Sequence, residues 1–87
     1  MKKFELSKEE KAFMVTELAR RAVLLNAEGK HSATADYTGN MVTVCYYIGG
    51  YQMGAMPTKL IMVSLGGYTD PKIAYDEAIT EFKKLEA

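Results

Sequence analysis

Between Tyr37 and Thr69 the chain carries one charged side chain, Lys59, although a quarter of its 87 residues are charged. Thirteen of the other charges precede that stretch and eight follow it. A neutral segment this rich in Tyr, Met and β-branched residues is easier to bury on two sides than on one, and it points to an interaction surface.

The charged flanks read as helices. Ser7 has the side chain of an N-cap, and Glu10 three positions on completes a capping box. Met14, Leu18, Ala22 and Leu25 then recur at helical spacing, widened by Val15, Ala19, Val23 and Ala27. Gly29 suits the position after the last turn, which predicts a helix over 8–28. At the other end, Asp70 and Pro71 supply a cap and a first helical position, predicting a second helix over 71–86. Its buried stripe is expected to be Ile73, Ala74, Ala78, Phe82 and Leu85, with Ile79 at the edge.

Between them the period changes to two. Ser32–Tyr37 is a short, moderately β-favouring run, and Thr38-Gly39-Asn40 tolerates the positive φ of a tight hairpin. Met41–Ile48 and Lys59–Leu65 are strong strands, the latter ended by Gly66-Gly67. The predicted fold is therefore α+β in a single domain, 1–87. It is a two-layer α-β-β-β-α sandwich with a three-stranded, mainly antiparallel sheet and both helices packed on one face.

Alternation assigns the faces. Val42, Val44, Tyr46, Ile48, Ile61, Val63 and Leu65 form one side, which takes the helices. Met41, Thr43, Cys45, Tyr47, Leu60, Met62 and Ser64 form the other, where a solvated sheet would carry Lys, Glu, Arg or Gln. Two helices cover one face of three strands and hardly both. Met41, Cys45, Tyr47, Leu60 and Met62 are thus candidate interface residues, the alternatives being that one helix crosses to that side or that a Thr/Ser-diluted face tolerates water. Residues 49–58 are more than a minimal hairpin needs. Gly49-Gly50 suggests a bulge in a longer hairpin with its tip at 54–57, an arm that holds out Tyr51, Met53 and Met56. Met adapts to irregular pockets and Tyr gives contact area at modest entropic cost.

Other chemistries find little support. Gly49, Gly50 and Gly54 make neither a dinucleotide-binding fingerprint nor a P-loop. Gly66-Gly67 precedes a helix N-terminus, but Asp70 there would repel an anion. His31 is the only imidazole and Cys45 the only thiol. His31 is placed to face the end of the first helix, Cys45 reads as a small mid-strand hydrophobe, and no third group orients the pair. One His and one Cys do not make a zinc site. The chain is expected not to be an enzyme and to use no cofactor or metal.

Net charge is zero, so no global field draws the protein to nucleic acid or an anionic membrane. A single cysteine excludes an internal disulfide and fits a reducing compartment. The opening residues lack the apolar run of a signal peptide, and no stretch is apolar for long enough to span a bilayer. The expected location is cytoplasmic.

The element order resembles that of double-stranded-RNA-binding domains. That family opens its second helix with a Lys cluster followed by spaced alanines. Here Lys72, Ala74 and Ala78 are kept, surrounded by Asp70, Asp76 and Glu77. The family's Gly-Pro-x-His loop is replaced by Tyr37-Thr38-Gly39-Asn40. The resemblance implies a nucleic-acid-binding alternative that would use Lys72, Arg20 and Arg21. Phosphate contact needs clustered cations, and Lys2-Lys3, Arg20-Arg21 and Lys83-Lys84 are only pairs. The main expectation is a small non-enzymatic interaction protein, paired with itself or with another protein. It could serve as a regulator or inhibitor of a larger protein, as phage and mobile-element accessory proteins often do.

Overall fold

The computed structural model describes residues 3–86. Ser7 caps helix α1 (Lys8–Glu28): its Oγ accepts from the Glu10 N–H at 3.1 Å, and its own N–H donates to Glu10 Oε1 at 2.9 Å. Those bonds also hold the Glu10 carboxyl below its ordinary range. Gly29 closes the helix, its N–H donating to the Asn26 carbonyl.

Strands β2 (Ser32–Thr38), β3 (Met41–Tyr47) and β4 (Lys59–Ser64) form one antiparallel sheet in that order. The β2–β3 turn is the two residues Gly39 and Asn40, and only the glycine has positive φ, 62°. That pattern matches a type II′ hairpin, whose twist suits the flanking strands. Helix α2 (Pro71–Leu85) starts at Asp70, whose carboxylate accepts from the Lys72 N–H at 3.0 Å. The sequence did not predict a second small sheet, in which β1 (Phe4–Glu5) pairs antiparallel with β5 (Gly66–Gly67).

Both helices lie on one side of the main sheet, α1 against β2 and α2 against β4, and they touch each other. The core between the layers is Leu18, Ala22 and Leu25 from α1, Ala33, Val42, Val44, Tyr46, Ile61 and Val63 from the strands, Leu65 just after β4, and Tyr75, Ala78 and Phe82 from α2. The two-layer α+β architecture is therefore as expected.

Several packing assignments need correction. Ile73 is 67% exposed, and Tyr75 takes the place expected for it in the core. Ile73 stands nine positions from Phe82, about 180° around a helix that advances about 100° per residue, so the two cannot share a face. Ile48 also lies outside the core. The strand ends at Tyr47, where the Gly50 N–H donates to the Tyr47 carbonyl in a turn that swings Ile48 outward. Val23 and Ala27 lie on exposed parts of α1.

Asn26 fastens the layers where α1 meets β2. Its side-chain nitrogen donates to the Ala22 and Ala33 carbonyls, and its oxygen accepts from the Ala33 N–H at 3.1 Å. At the opposite edge, Glu81 of α2 accepts from Tyr46 Oη at 2.8 Å and Lys84 Nζ at 2.9 Å, and lies 3.6 Å from Lys59 Nζ. The one charge of the neutral stretch is thus neutralised by the covering helix. The Lys84 and Tyr46 bonds hold the Glu81 carboxyl down to about 2.

Candidate interaction surface

The far side of the main sheet is built by register. Thr34, Cys45 and Leu60 stand in one row; Asp36, Thr43 and Met62 in the next; Thr38, Met41 and Ser64 in the third; and Ser32 beside Tyr47 at the end. No element covers this side among the described residues. Leu60 is 52% and Met62 57% exposed, while Met41, Cys45 and Tyr47 are half-buried by their neighbours. The face is graded: β2 contributes Ser, Thr and Asp, β3 a mixture, and β4 Leu and Met with Ser64 at its end. The apolar patch is therefore narrower than the whole face and follows β3 and β4.

The arm, residues 49–58, has a different form from the bulged hairpin expected of it. It contains no strand and is held by discrete bonds. Gly49 has φ of 83°, and its N–H donates to His31 Nδ1 at 2.9 Å. Two residues later the Tyr51 N–H donates to Ser32 Oγ at 2.9 Å. A turn joins the Gln52 carbonyl to the Ala55 N–H, and the Thr58 N–H returns to the Tyr46 carbonyl at 2.8 Å. The Tyr51 ring meets Tyr47 edge to face, centroids 5.1 Å apart, so the base of the arm sits on the open side of the sheet. Met53 and Met56 point away from the protein, 95% and 86% exposed. Of the three arm residues singled out by sequence, Tyr51 folds back and the two methionines project.

His31 therefore does not serve as a helix-end cation; it is an acceptor for the arm. Cys45 faces Thr34, with Sγ and Oγ1 3.1 Å apart, three positions along β2 from His31, so the two are not brought together. Burial and the neighbouring Cys45 push the Tyr47 phenol up. Among the described residues no cluster of three or more His, Cys, Asp or Glu side chains could hold a metal.

The cations of the RNA-binding alternative are each matched by acids. Arg20 pairs with Glu17, Arg21 with Glu17 and Glu86, and Lys72 with Asp76. Arg21 meets the end of α2, whereas Lys72 lies fourteen positions before Glu86, about 21 Å along a helix. They do not form one basic patch. Lys2 lies outside the described residues.

Two grooves of about 450 and 540 Å³ flank α1, one beside Lys8, Val15 and Tyr37 and the other beside Arg21, Leu24 and Glu86. Neither adjoins the open face. No helix in the described residues is long and apolar enough to cross a membrane.

Set against family models, curated proteins and solved structures, the chain matches none of them.

Proposed function

We propose that this is a non-enzymatic interaction protein that pairs with a second copy of itself through Met41, Cys45, Tyr47, Leu60 and Met62, with Tyr51, Met53 and Met56 of the arm. The observation that carries this reading is the placement of both helices on the same side of the sheet, which leaves Leu60 and Met62 of edge strand β4 more than half exposed beside β3, the strand of Met41, Cys45 and Tyr47. Exposed apolar residues scattered singly need no explanation; a connected group does.

Size decides which parts must take part. Strands β3 and β4, of seven and six residues, span roughly 23 Å by 10 Å. Specific interfaces bury about 800 Å² on each partner, so the sheet patch alone is too small. Met53 and Met56, almost fully exposed and adaptable in shape, supply further area from the arm whose Tyr51 packs on Tyr47. A patch shared by both copies around a two-fold axis is also the commonest way for a small soluble chain to associate. A compact cytoplasmic regulator or inhibitor of a larger protein is the biological role consistent with these features.

Sedimentation velocity over a dilution series tests the reading. A dimer that dissociates on dilution is expected, with Met62→Glu a monomer at every concentration. A wild-type chain that stays monomeric at high concentration would exclude self-pairing.

A further inference from the structure

We infer that His31 is an acid-sensitive latch for the arm. The Gly49 N–H can only donate, so the Nδ1 atom it reaches at 2.9 Å must present a lone pair, and in the closed arm the imidazole is neutral with its proton on Nε2. Protonation takes up that lone pair and turns Nδ1 into a second donor facing a donor. The bond is then lost, and the base of the arm keeps the Gly50–Tyr47 backbone bond, the Tyr51–Ser32 bond, the Thr58 returns and the Tyr47–Tyr51 ring contact. The latch therefore opens in the acid direction.

Among the described residues the Gly49 N–H is the one hydrogen-bond partner of the His31 side chain. The arm, residues 49–58, carries no charged side chain. The titratable groups nearest along the chain or through its neighbour Ser32 are Glu28 and Lys30 at the α1 end, Tyr47 of β3, which pairs with Ser32, and Tyr51 of the arm, which bonds to Ser32. None of them forms an ion pair with His31 among the described residues. The segment it controls is the one that carries Met53 and Met56, so acid changes how those side chains are presented whether or not the open face is occupied. One hydrogen bond of this kind corresponds to about a fivefold change in the ratio of closed to open arm.

Backbone ¹⁵N relaxation at pH 7.5 and 5.5 tests this, with heteronuclear NOEs read at residues 49–56 and, for reference, at Val42 and Val44. In the wild type, order in 49–56 should fall at pH 5.5 while the strand values hold. In His31→Leu the arm should be loose at both pH values. An arm equally ordered at both pH values in the wild type would overturn the proposal. So would a pH-dependent loss that persists in His31→Leu, an ordered arm in that variant, or a loss that spreads equally to Val42 and Val44.

Discussion

The two faces of the main sheet are built from the same strands, yet only one is finished. On the covered face Val42, Val44, Ile61 and Val63 meet Leu18, Leu25 and Phe82, and the polar groups at its margins are answered: Ala33 by Asn26, and Tyr46 and Lys59 by Glu81. On the open face Leu60 and Met62 stand in water and Asp36 has no ion-pair partner among the described residues. Alternating side chains tie the two faces together, since any register that buries Val44 must place Cys45 on the other side. The difference teaches that, among the described residues, the helices cover one face only, and the proposed pairing is an account of the apolar residues opposite.

Removing a side chain from the finished face should have the largest effect. Phe82→Ala empties a fully buried site and is expected to cost about 3–5 kcal/mol in chemical denaturation. Asn26→Ala leaves the Ala33 N–H and carbonyl without their side-chain partner, and about 2 kcal/mol is expected from the same measurement. Glu81→Gln tests the sealed edge through pH. The folded carboxyl sits at about 2 against an ordinary 4.5, so its contribution is complete above about pH 4.5 and fades as pH falls towards 2. The stability difference between wild type and variant should therefore be constant from pH 7 to 5 and shrink below that. Met62→Ala, on the unfinished face, should move the stability of dilute protein by no more than about 0.5 kcal/mol. A cost there as large as that of Phe82→Ala would erase the distinction between the faces.

Much of this was legible in the sequence wherever the cause was local. Ser7 with Glu10, Gly29, and Asp70 with Pro71 fix the helix ends through atoms a few residues apart. Alternation over 41–47 and 59–64 gave the faces directly. What escaped depends on contacts across the fold. The pairing of Phe4–Glu5 with Gly66–Gly67 joins the two halves of the chain through backbone bonds with no side-chain signature. Asn26 looks like any polar helix residue until β2 arrives beside it. His31 and Ser32 gain their role only because the arm returns across the start of β2. Ile73 was a different kind of miss: the helical angle to Phe82 was available and excludes the two from one stripe. Of the candidate site, the Met/Tyr/Leu patch was legible by alternation. Its grading from polar β2 to apolar β4 required the strand order.

The most direct test of the central claim is the rate at which a thiol reagent labels Cys45, the only cysteine and a member of the open face, as protein concentration is raised. If a second copy covers that face, the rate constant should fall with concentration and become constant in Met62→Glu. A wild-type rate constant that is the same at low and high concentration would contradict it.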